Sequence, residues 1–347
     1  MSQIQKSDFN TANLPIDQRF GAWRESIASL FDVTPHTGAQ GDHHNTRVSS
    51  YLINNQIIVS GCETHAQSFT RNPLKIANDG LDYYMIQTHL TGSQVVQRGS
   101  RSINCRPGDL LVIDLAESHE AVTTDFTQRT LVVPRHLLAP HLLQPDSQAA
   151  RVLSGDLPLT QLAASHLKTL FGILGSFSED EALQVIEPTL LLMASALNGS
   201  TAQFSENGPG VSVSLLAYAK VEIEKSLHRQ LSVERLCLSL KISRSALYRL
   251  FEPLGGVRAY VQERRLRRSA EVLLSERGTK LRICDIAYAW GFASEAHYSR
   301  AFRQRFGISP SDARLTSWSL RLSRENVPSA LVGDRDYEQW LAENLRL

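Results

Sequence analysis

Residues 281–302 read LRICDIAYAWGFASEAHYSRAF, and residues 231–251 read LSVERLCLSLKISRSALYRLF, which is the same pattern at an earlier place in the chain. In each copy, apolar residues at i, i+3 and i+7 predict a short helix, followed by a tight turn and a second helix. The second helix has an apolar inner face and a polar, basic outer face. Two helix-turn-helix motifs are therefore predicted, and in such motifs the second helix lies in the major groove of DNA.

The charge of the chain is distributed unevenly around this repeat. The 347 residues carry a net charge of only +1, but residues 211–320 hold 19 Lys and Arg against 10 Asp and Glu. A basic segment that coincides with the repeat is the electrostatic footprint of a protein that binds a polyanion; a merely solvated basic face is the alternative. Double-stranded DNA is the predicted partner of this segment.

The N-terminal half has a different periodicity. After an amphipathic helix at 14–31, alternation with a period of two predicts short strands from about 47 to 134, separated by Asn-Asn and Pro-Gly-Asp turn signals. Many short strands at this spacing indicate a barrel or a two-sheet sandwich, which is a natural container for a small molecule. Two helical segments follow at 159–174 and 179–197, and residues 198–210 have the composition of a linker.

These segments predict an α+β multidomain protein. The expected order is a barrel with a helical dimerisation segment at 1–197, a linker at 198–212, an all-α DNA-binding domain at 213–320 and a C-terminal extension at 321–347. The helices at 159–197 carry apolar stripes, and an exposed part of these stripes would form the seam of a homodimer. Internal packing is the alternative role of the stripes.

The four cysteines lie far apart, at positions 62, 105, 237 and 284, without a C-x-x-C pair. This spacing predicts neither a disulfide framework nor a zinc site, and no cofactor or metal is expected. The chain begins without a basic segment followed by an apolar core, and no stretch approaches 18 uninterrupted apolar residues. We therefore expect a cytoplasmic protein without a membrane partner.

Several motifs of the C-terminal half resemble those of the AraC/XylS family of bacterial transcription regulators. They are LYRLF at 247–251, YVQERRLRRSA at 260–270 and the run that begins with IAYAWGF at 286–292 and ends at Pro310. RFGAWRE at 19–25 and CRPGDL at 105–110 resemble the cupin-like regulatory domain of one branch of that family. The resemblance implies a sequence-specific transcription regulator, an activator that works with RNA polymerase, whose cupin-like domain binds a small organic effector.

One residue departs from the family pattern. Lys241 stands at the turn of the first motif, where the second motif has Gly291 and the family mostly has glycine. Glycine adopts a positive φ without cost, whereas another residue in that conformation costs about 1 kcal/mol. A slightly strained first turn is predicted, with Lys241 either simply exposed or in contact with a phosphate.

The second helix of each motif, called here the reading helix, presents its outer face to DNA. In the first reading helix, helical periodicity turns Leu247, Leu250 and Phe251 inward. Arg249 then faces outward and can bond two acceptors of a guanine. Tyr248 can combine a phosphate hydrogen bond with contact to a thymine methyl group.

In the second reading helix, Tyr298 and Phe302 turn inward, and Arg300 and Glu295 face outward to read guanine and cytosine respectively. Arg303 lies farther along and is expected to contact a phosphate. A solvated helix face is the alternative for each residue. The predicted DNA-binding residues of both motifs are Arg244, Ser245, Tyr248, Arg249, Glu295, Ala296, His297, Ser299, Arg300 and Arg303.

Residues 257–276 predict a long helix between the motifs. It would hold the reading helices about one turn of DNA apart, roughly 34 Å. Its arginines either contact phosphates or form salt bridges with Glu263 and Glu271, and Arg305 is also expected at a phosphate. The basic cluster consists of Arg264, Arg265, Arg267 and Arg268.

Two other functions are compatible with a barrel beside a DNA-binding domain: a cupin-type metalloenzyme and a ligand-independent DNA binder. Metal-dependent oxygenases need closely spaced imidazoles and a carboxylate. His89 and His119 each lack a second histidine nearby, and His43 and His44 lie in a polar loop. No catalytic residue and no metal ligand is therefore predicted, and bound metal would favour the metalloenzyme.

The sequence does not specify the residues that contact the effector. The strand at 83–90 has two faces, and alternation alone does not show which face points into the barrel. One face carries Tyr84, Ile86 and Thr88, and the other carries Tyr83, Met85, Gln87 and His89. A barrel filled by its own side chains is the alternative to a barrel that holds a ligand.

Overall fold

The computed structural model describes residues 3–36, 44–73, 75–76, 81–98, 101–202, 215, 219–220, 222–224, 226–228, 232–252, 255–274, 280–315, 336–337 and 340. In this part of the chain, a β-rich N-terminal half precedes a helical C-terminal half, which confirms the predicted α+β class. Most of the predicted linker lies outside the described residues, as does most of the C-terminal extension.

The described strands form two antiparallel sheets. In chain order they are β1 (Gln5–Asn10), β2 (Asp32–Pro35), β3 (Arg47–Ile53), β4 (Ile57–Thr64), β5 (Gln67–Arg71), β6 (Tyr83–Thr91), β7 (Gln94–Arg98), β8 (Arg101–Cys105), β9 (Leu110–Asp114), β10 (His119–Thr123), β11 (Phe126–Pro134) and β12 (Arg151–Leu153). The larger sheet has the order β1-β3-β4-β11-β6-β9-β12, and the smaller sheet has the order β2-β5-β10-β7-β8. Two facing antiparallel sheets enclose one core between them, as the alternating pattern predicted.

The helices divide into two groups. In the N-terminal half they are α1 (Ile16–Ser26), α2 (Arg135–Leu138), α3 (Pro158–Ile173) and α4 (Glu179–Ala202). In the C-terminal half they are α5 (Val233–Leu240), α6 (Arg244–Phe251), α7 (Val257–Leu274), α8 (Ile283–Ala289) and α9 (Glu295–Phe306). The pairs α5–α6 and α8–α9 are the two predicted helix-turn-helix motifs, and α7 is the helix between them.

The larger sheet is buried on both faces, because each face packs against a different layer. Tyr83 and Met85 face the core between the two sheets, together with Phe126 and Trp23. Tyr84 belongs to the opposite core, between the larger sheet and helices α3 and α4. The face of β6 that points into the barrel is therefore the one that carries Tyr83, Met85, Gln87 and His89.

Helix α4 continues to Ala202, five residues past the predicted end of the domain. Residues 198–202, which were assigned to the linker, are therefore helical. The Asn198 side chain accepts a hydrogen bond from the backbone of Leu143 at 2.8 Å and donates one to the carbonyl of His141 at 2.8 Å. These tertiary contacts stabilise the helix where composition alone favours a break.

Each helix-turn-helix motif has its own core, and α7 contributes to both. Its first half packs Tyr260 and Val261 against Phe251 of the first motif. Its second half packs Leu266 and Leu273 in the core that contains the second motif. Helix α7 thus holds the two motifs in one unit, as predicted for a spacer.

The C-terminal extension returns to the N-terminal half. Tyr337 and Trp340 are buried in the core between the two sheets. The backbone amide of Tyr337 donates to Ser7 Oγ at 3.1 Å, and its hydroxyl donates to Ser26 Oγ at 2.5 Å. Nothing in the periodicity of the sequence predicted this contact between the two ends of the chain.

Candidate nucleic-acid interface and barrel cavity

Both reading helices, α6 and α9, begin with a serine cap. Ser243 Oγ accepts from the backbone amide of Ala246 at 3.2 Å, and Ser294 Oγ accepts from that of His297 at 3.1 Å. A capping hydroxyl satisfies one of the free amides in the first turn of a helix. The repeat therefore extends to the residue that starts each reading helix.

The turn before each reading helix has a positive φ. Lys241 has φ 53° and Gly291 has φ 72°. Lys241 is the left-handed residue that ends α5, and its amide donates to the carbonyls at the end of that helix. The structure thus places the strained conformation at the residue where the sequence predicted it.

The first reading helix presents the face that was predicted. Leu247 and Phe251 are fully buried, and Leu250 is half-buried against the same core. Tyr248 is 46% exposed, and Arg244, Ser245 and Arg249 are exposed as well. Arg244 also pairs with Glu234 at 2.5 Å on the protein surface, so contact with a phosphate would compete with this ion pair.

The second reading helix is similar, with one difference. Tyr298 and Phe302 are fully buried, whereas Ser299 is only half-exposed. The exposed members of the predicted set are Glu295, Ala296, His297, Arg300 and Arg303.

Arg305 does not share this exposed face. Its Nε donates to Glu263 at 2.8 Å, and its guanidinium lies 3.3 Å from the carboxylate of Glu117 in the N-terminal half. The expectation that Arg305 contacts a phosphate is therefore wrong for this arrangement of the two halves, because its guanidinium already pairs with carboxylates.

Two arginines of the predicted basic cluster, Arg264 and Arg267, form buried ion pairs instead of facing DNA. Arg264 donates to Asp82 at 2.9 Å, and Arg267 pairs with Glu117 at 2.5 Å and with Glu263 at 2.8 Å. Arg264 and Arg267 are buried, so these two cannot reach a phosphate in this arrangement. Of the two predicted salt-bridge partners, Glu263 is used, and the side chain of Glu271 lies outside the described residues.

The other two arginines of the basic cluster, Arg265 and Arg268, also have protein partners. Arg265 donates to the carbonyls of Leu227 at 2.9 Å and Gly291 at 3.1 Å. Arg268 lies 3.5 Å from a carboxylate oxygen of Glu224. The basic cluster of α7 therefore connects parts of the protein to one another.

Asp82 is the centre of the contact between the two halves. Its carboxylate accepts from Arg264 of α7 and, at 2.6 Å, from Arg135 of α2. Burial alone would raise the pKa of Asp82, but the guanidinium groups of Arg264 and Arg135 outweigh it and hold the pKa well below its usual value. Lys220 adds a further contact to Asp146 at 2.7 Å.

A cavity of about 70 Å³ lies between the two sheets. One water molecule needs about 10 to 15 Å³ of such a volume, so the cavity has room for roughly five waters. Its walls are mainly apolar and include Trp23, Met85 and Phe126. Gln87, His119 and Gln128 also line it, and each has a buried polar atom without a hydrogen-bond partner.

His119 is neutral in the folded protein near pH 7. Burial lowers its pKa to about 4, and the nearby Arg71 guanidinium contributes in the same direction. Arg71 itself is held by the carbonyls of Leu115 at 2.7 Å and Leu30 at 2.9 Å. The imidazole therefore offers one donor and one acceptor without a charge.

No three His, Cys, Asp or Glu side chains come together as a metal site within the described residues. His89 lies beside Cys105, with 3.9 Å between Nδ1 and Sγ, but no carboxylate completes a ligand set with them. Among the described helices, none combines the length and hydropathy that a membrane-spanning helix needs.

A β-sandwich with a cavity, joined to a helical unit with two capped reading helices, is the architecture of a two-domain DNA-binding protein. The AraC-binding-like domain model matches residues 23–198, and the model of a helix-turn-helix domain matches residues 236–316. The chain belongs to the AraC family of transcription regulators, as the resemblance of its motifs implied.

Three individual proteins are similar to part or most of this chain, and the solved structure among them shares its fold. The transcriptional activator NphR from Rhodococcus sp is 24% identical over 257 residues, which is 73% of this chain and 76% of NphR. The virulence regulon transcriptional activator VirF from Yersinia enterocolitica is 41% identical over 69 residues, only 19% of this chain and 24% of VirF. The crystal structure of the AraC-like transcriptional activator CuxR has a TM-score of 0.53 at 24% identity, and the match covers 76% of this chain and 95% of CuxR.

Sequence reasoning missed the contact between the two halves. One signal was present, because Arg264 follows Val257, Tyr260 and Val261 at helical spacing and so lies on the apolar face of α7. No such signal exists for Asp82, since its partners are distant in the chain. The sequence likewise contained no signal that Tyr337 lines the cavity.

Proposed function

We propose that this protein is a sequence-specific, dimeric activator of transcription that a small organic effector controls through the barrel cavity. The observation that carries the proposal is the pair of serine-capped reading helices with exposed polar and basic faces. A protein with two such helices held by one spacer helix can read two successive stretches of one major-groove face. Its affinity would come from phosphates and its selectivity from base edges.

The direct test of this proposal replaces the two arginines best placed to read guanine. Arg249→Ala and Arg300→Ala should each weaken specific binding by about 1 to 3 kcal/mol and relax the preference at one base position. Arg24→Ala, on the exposed face of α1, is the matched control and should change neither. Unchanged affinity and unchanged base preference in a binding-site selection would remove these residues from the interface.

Activation is proposed because the relatives NphR, VirF and CuxR are named as activators. An activator must increase transcription by RNA polymerase and not merely occupy DNA. The test is transcription in vitro with purified bacterial RNA polymerase and a promoter that contains the selected site. A decrease on addition of the protein would identify a repressor.

A homodimer is proposed on the basis of exposed apolar side chains on α3 and α4. Leu159, Leu162 and Ile173 of α3 are 42%, 55% and 45% exposed, and Leu183 and Leu191 of α4 are 43% and 45% exposed. Such side chains on neighbouring helices are costly in water and are typical of an interface. A two-fold seam along these helices would bring two DNA-binding units to one operator.

Effector control is proposed because a preformed cavity in the barrel contains unsatisfied polar atoms. A compound present at a concentration about a hundred times its dissociation constant stabilises the folded protein by about 2.7 kcal/mol. A thermal-shift screen can detect stabilisation of this size. A compound found in this way must also change promoter affinity or transcription, since binding without coupling is not regulation.

Two alternatives make different predictions. A ligand-independent DNA binder would give the same transcription with and without every compound that binds the cavity. A metalloenzyme would need a ligand set, and the described residues bring none together. A stoichiometric metal in the purified protein, lost together with a catalytic activity on chelation, would overturn the proposed function.

A further inference from the structure

The barrel cavity is uncharged, although ion pairs are abundant elsewhere in the molecule. The described residues that line it include no Asp, Glu, Lys or Arg side chain. An ion placed there would lose its hydration without gaining an opposite charge from the walls, and the nearby Arg71 guanidinium is held by the carbonyls of Leu115 and Leu30. The walls therefore select against charged ligands.

Three polar groups in the cavity lack partners. Gln87 Oε1, Gln128 Oε1 and His119 Nε2 are buried and make no hydrogen bond, and their side chains are at least nine-tenths buried. The amides can present either their oxygen or their nitrogen after rotation, and the imidazole is neutral. A hydroxyl or carboxamide on a bound molecule would satisfy them, because such groups form hydrogen bonds without a charge.

The size of the cavity sets an upper limit on its ligand. Its volume of about 70 Å³ is roughly half of the about 150 Å³ of an engineered apolar cavity that binds benzene, so one small ring is the largest group that fits, and only with movement of the walls. The apolar walls include aromatic rings, such as Phe31 and Phe126, that favour contact with a planar molecule.

Tyr337 is one of the residues that line this cavity. Its ring packs against Phe9 with 5.8 Å between the ring centres, and its hydroxyl and amide are held by Ser26 and Ser7. Tyr337 follows the second helix-turn-helix motif in the chain, so the wall of the cavity includes a residue that is covalently continuous with the DNA-binding half.

We propose that the cavity binds an uncharged, mostly apolar molecule no larger than one small substituted ring, and that Tyr337 is part of its binding site. Gln87, Gln128 and His119 bond the polar group of this molecule. The inference rests on the effector control proposed above and names the chemical class of the effector. A molecule in contact with Tyr337 touches the C-terminal extension directly, which gives the DNA-binding half a physical connection to the occupied cavity.

The ligand class is tested with the full chain and two probes of nearly equal shape, benzamide and benzoate. Calorimetric titration at about pH 7.5 keeps benzoate ionised, since carboxyl groups titrate near pH 4. Benzamide should bind at least about ten-fold more tightly than benzoate. Equal or tighter binding of benzoate, or no binding of benzamide up to about 10 mM, would overturn the proposed class.

The site is tested with a substitution that keeps volume but removes polarity. Gln128→Leu should weaken benzamide binding about five- to ten-fold, as expected for one lost hydrogen bond. Gln97→Leu is the matched control, because Gln97 lies on the exposed side of β7. An equal effect of both substitutions, with folding verified by circular dichroism, would place the benzamide elsewhere.

The role of Tyr337 is tested through the size of the ligand. The parent protein should bind 2-naphthamide at least about ten-fold more weakly than benzamide, and Tyr337→Ala should reverse this order by opening the wall. Tyr337→Phe keeps the ring and should retain the original order. If Tyr337→Ala does not fold, Tyr337→Leu provides the same comparison. An unchanged order in the smaller variant would exclude Tyr337 from the site.

The outcomes separate this inference from the proposed function. If transcription responds to a charged effector, the result supports effector control and contradicts the proposed ligand class. If benzamide binds as expected but no ligand of the cavity changes promoter affinity or transcription, the result supports the ligand class and contradicts effector control.

Discussion

At the scale of the residue, the turns of the two helix-turn-helix motifs adopt the same backbone conformation with different residues. Gly291 and Lys241 both have a positive φ, and only glycine adopts it without a steric penalty. The turn at Lys241 is stabilised by the packing of the two helices that flank it. Helices α5 and α6 bury Leu236, Leu247 and Phe251 in one core. The strain lies in the backbone and not in a lost contact.

Lys241→Gly should therefore raise the free energy of unfolding by about 1 kcal/mol, because it removes this penalty. The measurement is urea-induced unfolding monitored by circular dichroism. Lys280→Gly, at another exposed position of the same domain, is the control and should not stabilise the protein. If Lys241→Gly is destabilising, the side chain of Lys241 makes a contact that outweighs the backbone strain.

His119 makes stability depend on pH. Its pKa is lowered to about 4 by burial in the fold, and an unfolded histidine has a pKa of about 6.5. The unfolded chain thus binds more protons between these values, so stability falls as the pH decreases from about 6.5 to about 4. His119 alone should account for a loss of about 3 kcal/mol over this range.

His119→Gln should flatten this dependence, and the free energy of unfolding at several pH values is the measurement. His89 titrates in the same range, since burial lowers its pKa to about 4 as well, so part of the dependence should persist. His36→Gln, at an exposed position, is the control. A dependence as steep as that of the parent protein would show that folding does not lower the pKa of His119.

At the scale of the element, the most informative helix is α3. Its inner face packs Ala163, Leu167 and Leu170 in the core beneath the larger sheet. Its outer face leaves Leu159 and Leu162 in water. The hydrophobic stripe is therefore wider than the fold itself needs, and this excess supports a helix-to-helix interface.

Leu162→Asp should shift the proposed dimer to monomer, because it places a charge in an apolar seam. Gln161→Asp introduces the same residue next to it, away from the stripe, and should leave the dimer intact. Sedimentation equilibrium of both variants gives the comparison. If the parent protein is monomeric at high micromolar concentration, the proposed dimer interface along α3 and α4 is contradicted.

At the scale of the whole molecule, ion pairs connect the two halves. Asp82 precedes β6 of the barrel, and it binds Arg264 of α7 and Arg135 of α2. A buried ion pair adds little net stability relative to an apolar contact, but removal of one partner is costly, because the remaining buried charges lose part of their compensation. Without Asp82, Arg135 would keep Asp114 and Arg264 would keep Glu224.

Asp82→Asn should lower the free energy of unfolding by at most about 3 to 5 kcal/mol, because Arg264 and Arg135 lose their shared carboxylate but keep their other partners. Calorimetry should show the DNA-binding half melting separately from the barrel in this variant. Asp180→Asn, at an exposed position of α4, is the control. A single transition at the melting temperature of the parent protein would show that the two halves are not coupled through Asp82.

The sequence by itself determined the fold class, the duplicated motif and the outer face of each reading helix. These features repeat every two or every three to four residues, so short segments contain all the information that they need. Arg249 and Arg300 were assigned to the outer face in this way, and the structure places both there. The strained turn at Lys241 was readable for the same reason.

Only the tertiary structure decided what the long-range contacts do. It turned Gln87 into the barrel, extended α4 through Asn198, paired Arg264 with Asp82 and brought Tyr337 to the cavity. Each of these outcomes depends on a partner that is distant in the chain, and local periodicity contains no information about such a partner. An arginine on a basic helix can bind a phosphate or a carboxylate, and the choice depends on the surface that packs against it.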